Sequence, residues 1–280
     1  MNSNPDLPGG TLFVVGTPIG NAADLSARAA QVLSSVDVIA AEDTRHTGVL
    51  LTRIGIKARL IAYHDHNEAQ VAPVLCERLQ AGERVALVAD AGMPTLSDPG
   101  MLLVAQARRL GIPVLSVPGP CAATAALSIS GLPSDRYCFE GFLPRRAAQR
   151  VHRLRELLGE RRTLIFYESV HRIGASVAAL AEVFGSSRRA VIARELTKLH
   201  ESSYAGSLGE LAAGFGSTGE LRGEFVIVVE GAPQAAGDDA EIARIFAVLV
   251  RELEPKQAVS LTAKLTGRAR NDVYRLARGS

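Results

Sequence analysis

The run Val85-Ala-Leu-Val-Ala-Asp-Ala-Gly-Met-Pro-Thr-Leu-Ser-Asp-Pro-Gly100 decides how the N-terminal half is read. It begins as a short unbroken apolar stretch and then opens into a loop holding Asp90, Gly92, Pro94, Asp98, Pro99 and Gly100. A continuous Val/Leu/Ala run fits a strand buried on both faces, as in a parallel sheet covered by helices. Gly92 permits close backbone approach, and the two prolines stiffen the path. A two-residue turn would suffice to join a strand to a helix. A loop this long and stiff is therefore read as a ligand loop.

The same grammar repeats on either side. Gly16-Thr-Pro-Ile-Gly-Asn21 ends one apolar run, and Val117-Pro-Gly-Pro-Cys-Ala-Ala123 ends another. The apolar runs are Leu12–Gly16, Val36–Ala41, Arg59–Tyr63, Val85–Ala89 and Val114–Val117. Helical patterns lie between them, near 24–34, 44–54, 68–80, 99–110 and 122–130. Asp24 before Leu25 and Asp98-Pro99 before Gly100 resemble helix starts. Alternating strands and helices predict an N-terminal α/β domain over 10–131, with a mostly parallel sheet and its ligand at the carboxyl ends of the strands. Three Gly/Pro loops at one sheet edge predict an apolar cleft open to backbone hydrogen bonds. Such a cleft suits a ligand with a flat base and a charged tail, and it holds no phosphate cradle.

A composition break follows at Gly131-Leu132-Pro133-Ser134. Beyond it, Thr163–Tyr167, Arg189–Ala193, Ser202–Gly206 and Phe225–Glu230 predict a second α/β domain over 132–232. Some antiparallel pairing is expected there, between Ser202–Gly206 and the strand after it. Gly231–Gly237 reads as a linker and 239–280 as a basic helical tail domain. The fold class is thus α/β, two such domains and a small helical C-terminal appendage.

Hydrophobic residues make up 47% and charged residues 21%, an ordinary globular balance. No apolar run approaches the roughly 18 residues of a membrane span. The first ten residues lack the basic start and apolar core of a signal peptide. Cys76, Cys121 and Cys138 are spread out and form no CxxC pair, which fits a reducing compartment. These features predict a soluble, cytoplasmic protein. The net charge is only +2, but the basic residues cluster. Arg145, Arg146, Arg150, Arg153, Arg155, Arg161, Arg162 and Arg172 fall in one segment, and Lys256, Lys264, Arg268, Arg270, Arg275 and Arg278 in another. Solvated helix faces account for either cluster alone; two in an otherwise neutral chain point to a polyanionic partner, RNA or DNA.

Two motifs are set aside. Gly214-Phe-Gly-Ser-Thr-Gly219 spells GxGxxG, yet it reads as a loop before a strand, whereas a dinucleotide fingerprint follows a strand and opens a helix. In His64-Asp65-His66-Asn67-Glu68, His64 and His66 would share a face if the segment is extended. No third ligand with metal-site spacing is evident, so no metal is expected and the segment is read as cleft lining.

In chain order, GTPIGN (16–21), AEDTR (41–45), DAGMPTLSDPG (90–100), PGPCAATAAL (118–127), FYESVHR (166–172), ARELTKLHE (193–201) and GEFVIVVEG (223–231) resemble the tetrapyrrole methylase superfamily. Within it, the set is similar to the bacterial small-subunit ribosomal RNA (cytidine-2′-O)-methyltransferases. The resemblance covers about 10–232, and a basic helical tail also occurs in that subfamily. It implies S-adenosylmethionine held between two α/β domains, a homodimer, and methylation of a cytidine ribose in 16S ribosomal RNA. Met93 stands where Thr is usual, and Cys121 where Ser is usual. Related members methylate a corrin precursor or a modified histidine, and a non-enzymatic RNA-binding protein of this fold is a further alternative.

By this resemblance Pro18, Ile19, Asp90, Ala91, Gly92, Thr95, Leu96, Ser97, Cys121, Ala122, Phe166 and Tyr167 line the donor pocket. The reaction also needs a proton acceptor for a weakly acidic hydroxyl. Lys198 serves if desolvation keeps its amine neutral; Glu195 and His200 serve without that condition. Glu42, Asp43, Arg45, His64 and His66 would line the RNA side of the cleft, with Arg145, Arg146 and Arg172 on phosphates. Aromatic residues are only 5%, so recognition by base stacking on an exposed sheet is not expected.

Overall fold

A computed structural model describes residues 8–217, 223–233 and 239–278. They divide into two compact units. One runs to Leu158 and resumes over Arg162–Glu230; the other comprises Gly159–Arg161 and the chain from Gly231. Both sheets belong to the first unit.

The first sheet contains β1 (Leu12–Val15), β2 (Val38–Ala41), β3 (Leu60–Ala62), β4 (Val85–Val88) and β5 (Val114–Val117), ordered β3-β2-β4-β1-β5 and parallel throughout. β2 and β4 are buried at every position, as their unalternating sequences require. α1 (Ala27–Ser35), α2 (Thr44–Arg53), α3 (Glu68–Gln80), α4 (Met101–Arg109) and α5 (Ala122–Ser130) follow the five strands in turn. Phe13, Val15, Ile39 and Ala86 pack on one face of this sheet with Val32 and Leu33 of α1. Leu12, Val38, Val85 and Leu87 pack on the other with Leu75, Leu79 and Leu103. The three Gly/Pro loops leave the carboxyl ends of β1, β4 and β5.

Helix starts differ from the expectation at two points. Ser26, not Asp24, caps α1, accepting the Ala29 N–H at 3.0 Å. Asp98 caps nothing, because α4 starts after Gly100, whose φ of 129° a side chain would strain.

The second sheet contains β6 (Tyr137–Phe142), β7 (Thr163–Ser169), β8 (Arg189–Arg194), β9 (Ser202–Ser207) and β10 (Glu224–Val229), ordered β6-β7-β10-β8-β9. β6 pairs parallel with β7, and the remaining pairs are antiparallel. Antiparallel pairing was expected, but β9 pairs with β8 before it, not with the strand after it. The sequence reading has no strand at 137–142. Gly141, at φ 64°, forms a bulge there that breaks the alternation a strand reading depends on. α6 (Ala147–Glu156), α7 (Ile173–Phe184) and α8 (Leu208–Ser217) belong to this half. α6 and α7 pack on one face over Leu164, Phe166, Ile192 and Ile227. The opposite face, with Ile165, Val191, Ala193, Val226 and Val228, packs on α5 of the first sheet's half. α5 thus joins the two sheets. Gly214 lies in α8, which corrects the reading of GxGxxG as a loop; Gly219 lies outside the described residues.

In the other unit, α9 (Asp239–Leu249), α10 (Pro255–Thr266) and α11 (Arg270–Arg278) close on a small core of Ile242, Phe246, Val259, Ala263, Val273 and Leu276. Pro255 opens α10, and Gly267 ends it in the left-handed conformation, an ordinary start and stop. Gly237 and neighbouring linker positions lie outside the described residues. Among the described residues no helix is long and apolar enough to cross a membrane.

Candidate functional site

The three Gly/Pro loops touch one another. Thr17 and Gly92 exchange backbone hydrogen bonds at 2.9 and 3.1 Å, and the Thr17 hydroxyl donates to the Ala89 carbonyl. Gly16 and Gly119 are pressed together: a Cβ on Gly119 would lie 2.8 Å from the Gly16 Cα. Gly92 adopts φ 83° at the point of contact. The glycines are there because two backbones meet, and the meeting forms one wall of a cavity.

That cavity, about 300 Å³, lies between the sheets. From the first sheet come Ile19, Ala91–Gly92, Met93, Leu96–Asp98 and Cys121–Ala122; from the second come Phe142, Tyr167, Leu196 and Val226. Tyr167 is packed edge-on by Phe139 and Phe142, at 4.8 and 5.7 Å between ring centroids, and its hydroxyl accepts the Ala123 N–H at 3.2 Å. Burial raises the Tyr167 phenol pKa well above its ordinary value. The bulge at Gly141 makes room for the opposite loop, since a Cβ there would lie 3.0 Å from Ser97 Oγ. An apolar slot with a few convergent polar groups is the usual form of a small-ligand site.

Asp98 lines that slot together with Glu168 and Glu224, although sequence alone reads it only as a helix start. Burial first, and then the negative charges of Glu42, Asp90 and Asp65, push its carboxyl up to about 7. Glu42 is raised too, by burial, while its carboxylate accepts the Asp90 N–H at 3.3 Å. Asp90 in turn accepts the Asp43 N–H at 3.0 Å. In the unfolded chain Asp98 ionises near 3.8, whereas the fold keeps the proton to about 7. Stability attributable to this group therefore falls as pH rises between those values, and the penalty is complete above 7. Asp98→Asn is expected to melt at the same temperature as wild type below pH 4. At pH 8 it should melt roughly 2–4 °C higher, a small effect because the group is partly solvated. Thermal melts of both proteins across that range check this.

The segment after β8 borders both cavities, Leu196 lining the first and Lys198 the second. Glu195 and Thr197 adopt φ 52° and 65°, and Thr95 and Ser97 in the facing loop adopt 75° and 71°. All four non-glycine residues with positive φ among the described residues thus lie in two loops at one cleft, the usual place for backbone strain with a purpose. Thr197 Oγ1 accepts the Asn21 N–H at 3.1 Å, and a Cβ on Gly20 would strike Lys198. The Lys198 ammonium holds Glu195 at 2.8 Å and Glu224 at 3.0 Å. Burial alone would lower its pKa, but the two carboxylates win and raise it. Glu195 is partly buried, and its bonds to Lys198 and the Glu224 N–H bring it below the usual carboxylate range. The condition attached to Lys198 as a base, a neutral amine, is therefore not met.

A second cavity, about 470 Å³, adjoins the first and shares Ile19, Ala91 and Glu224 with it. Pro18, Asp90 and Lys198 line this one. Phe166, placed by sequence in the donor pocket, is fully buried on the opposite face of β7, because neighbouring residues of a strand point to opposite sides. Thr95 sits behind the first cavity's wall against Gly100. His64 is not on an extended segment with His66. The chain turns there, with the His64 N–H on Asn67 Oδ1, and the rings meet edge-on at 5.9 Å. Neither histidine, nor Glu42, Asp43 or Arg45, lines either cavity; Arg45 is exposed and tied to Asp43 at 2.6 Å. Arg145 and Arg146 are exposed between β6 and α6. Arg172 is not available to an external phosphate: its guanidinium binds the Leu143 carbonyl and the fully buried Glu168. His200 is exposed next to Leu199, which is 94% exposed. Met93, noted from the sequence as standing where Thr is usual, lines the first cavity, whereas Phe142 and Glu224 were missed because nothing local to them distinguishes cavity lining from surface.

The comparisons agree with this architecture. Residues 11–212 match the family model of tetrapyrrole (corrin/porphyrin) methylases, so the chain belongs to that family and is a methyltransferase. Residues 236–278 match a model described as the RsmI C-terminal HTH domain. The chain is 49% identical over 279 residues to the "Ribosomal RNA small subunit methyltransferase I" of Escherichia coli O157:H7, covering 99% of this chain and 98% of that one. The protein of the same name from Xylella fastidiosa strain Temecula1 is 51% identical over 267 residues, covering 95% and 98%. The uroporphyrin-III C-methyltransferase of Thermus thermophilus, solved with S-adenosylhomocysteine, superposes with a TM-score of 0.54 at 19% identity, covering 78% and 96%, which speaks to the fold alone.

Proposed function

We propose that this enzyme transfers a methyl group from S-adenosylmethionine to the ribose 2′-oxygen of a cytidine in small-subunit ribosomal RNA. The observation that carries the donor is the apolar cavity at the carboxyl ends of the parallel strands, walled by Gly92 and Cys121–Ala122 and facing the Tyr167 ring. It fits a ligand with a flat base and no phosphate. Ile19, Ala91, Gly92, Leu96, Ser97, Cys121, Ala122 and Tyr167 hold the donor in this reading, and Asp98 offers a carboxylate to a cationic group, whose charge would favour its ionised form. When bound, the sulfonium supplies an electrophilic methyl whose transfer to the ribose oxygen breaks the carbon–sulfur bond and leaves a neutral thioether. The RNA half of the proposal follows the names of the relatives and the two basic clusters.

The protein's own task is to place the hydroxyl and remove its proton. Lys198, charged, stabilises negative charge developing on the ribose oxygen, and a carboxylate beside it, Glu195 or Glu224, accepts the proton. His200 and the exposed Leu199 belong to the RNA side, together with Arg145 and Arg146. The homodimer, the cytoplasmic setting, and the division into domains over 10–131, 132–232 and 239–280 belong to the same reading. Lys198→Ala and Glu195→Ala are each expected to lose 10²–10⁴-fold in turnover while still binding S-adenosylmethionine. Normal turnover in both would remove this segment from the mechanism.

The deciding experiment incubates the protein with labelled S-adenosylmethionine and small ribosomal subunits from cells lacking the gene, then digests the RNA and identifies the methylated nucleoside. A single 2′-O-methylcytidine is the expected result. Donor binding without transfer to subunits or naked RNA would overturn the ribosomal reading and turn attention to tetrapyrrole or protein acceptors.

A further inference from the structure

The structure assigns the second cavity as the seat of one unstacked acceptor ribonucleotide, with its phosphate held by Arg53 and His46 of α2; this rests on the RNA reading above. His46, Val49, Leu50 and Arg53 are spaced i, i+3, i+4 and i+7, so one face of α2 lines the cavity. That face is chemically mixed in a useful way. Val49 is 56% exposed and Leu50 half-buried, an apolar surface that with Pro18 suits the face of a base. At either end of it stand Arg53 and His46, exposed, and neither side chain forms an ion pair or hydrogen bond with a described residue. Arg45, next to His46, is by contrast already neutralised by Asp43. A guanidinium and an imidazole with no partner among the described residues, beside an exposed valine, complement a phosphate next to a base.

Continuity with the donor cavity adds a second, independent argument. The two spaces share Ile19, Ala91 and Glu224, and Glu224 carries the bond to Lys198. A nucleotide seated against α2 would thus bring its ribose to the shared wall, where the charged lysine and carboxylate stand. At about 470 Å³ the space falls within the range for a single small ligand, about 300–1,000 Å³, and excludes a helix. The acceptor must therefore leave its stack to enter. Of the residues that the sequence suggests for the RNA side, Glu42, Asp43, Arg45, His64, His66, Arg145, Arg146 and Arg172, none lines this space.

Three measurements on the full chain test the assignment. Arg53→Ala is expected to raise the KM for small subunits roughly ten-fold, the loss of one charged hydrogen bond. It should also reduce the slope of log affinity against log salt by about one. Lys57→Ala, the same loss of charge four residues further on at an exposed position outside the cavity, is the control and should do far less. Val49→Trp fills the cavity and should abolish transfer while leaving calorimetric affinity for S-adenosylhomocysteine unchanged. Finally, Val49→p-benzoylphenylalanine, irradiated with subunits, should crosslink within a nucleotide of the methylated position. Wild-type kcat/KM in both Arg53→Ala and Val49→Trp, or a crosslink mapped elsewhere on the RNA, would overturn the assignment while leaving the methylation reading intact. Absence of any transfer by the wild-type protein would remove that reading, and this assignment with it.

Discussion

Glu168→Ala is expected to lower the unfolding free energy by about 3–5 kcal/mol, the largest stability effect of any single side chain at this site. The Glu168 side chain is fully buried on β7. One oxygen accepts the Ser169 N–H at 2.9 Å; the other takes Arg172 at 3.1 Å and the buried Ser176 hydroxyl at 2.5 Å. Arg172 passes the constraint on to the Leu143 carbonyl, so one carboxylate ties the end of β7, the start of α7 and the loop after β6. Removing it leaves a guanidinium mostly buried without its counter-charge, which costs far more than the pair contributes when intact. Urea denaturation measures the change, with an unaltered m-value if both states stay comparably compact. The asymmetry predicts that Glu168→Leu combined with Arg172→Met recovers half or more of the loss, because two apolar side chains leave no orphaned charge. A loss under 1 kcal/mol for Glu168→Ala would mean that water or rearrangement replaces the carboxylate.

Gly119→Ala is expected to carry the largest functional effect of a single methyl group. The added Cβ would meet Gly16 Cα at 2.8 Å and the Gly16 carbonyl atoms at 2.9 Å. These are backbone atoms of another loop, and that loop is itself pinned by the Thr17–Gly92 bonds. No rotamer change relieves the contact, so the loops must part by a few tenths of an ångström or more. Overpacking of this kind costs about 1–3 kcal/mol in stability. Its effect on activity is larger, because both loops wall the donor cavity and a displacement approaching 1 Å costs on the order of 100-fold. Donor titration by calorimetry and a transfer assay measure the two consequences separately. Shortening Met93, whose sulfur would lie 2.7 Å from a Cβ on Gly16, should not rescue Gly119→Ala, since the obstruction there is backbone. Wild-type donor affinity in Gly119→Ala would show that the loops need not touch for the cavity to work.

Sequence by itself determined the parallel sheet, because a strand buried on both faces must be apolar at every position, and β2 and β4 are so. It also located the three loops, because glycine and proline constrain the backbone whatever surrounds them. β6 escaped because its bulge at Gly141 answers a loop from the other half of the molecule, and nothing within YCFEGF announces that loop. Phe166 and Tyr167 came as a pair, and only the assembled sheet decided which of the two faces the cavity.

The site's electrostatics were hidden for the same reason. Asp98 reads locally as a helix start, yet its proton affinity is set by burial and by Glu42, Asp90 and Asp65, which the fold collects from separate loops. Lys198 was open to a neutral or a charged reading until Glu224, distant in sequence, was found against it. Arg172 looked like a phosphate contact until Glu168 and the Leu143 carbonyl were found to occupy it. Backbone preference and apolar periodicity are local properties and survive in a string of letters. Charge state, exposure and the wall a residue faces depend on neighbours far away in sequence, and only tertiary structure supplies them.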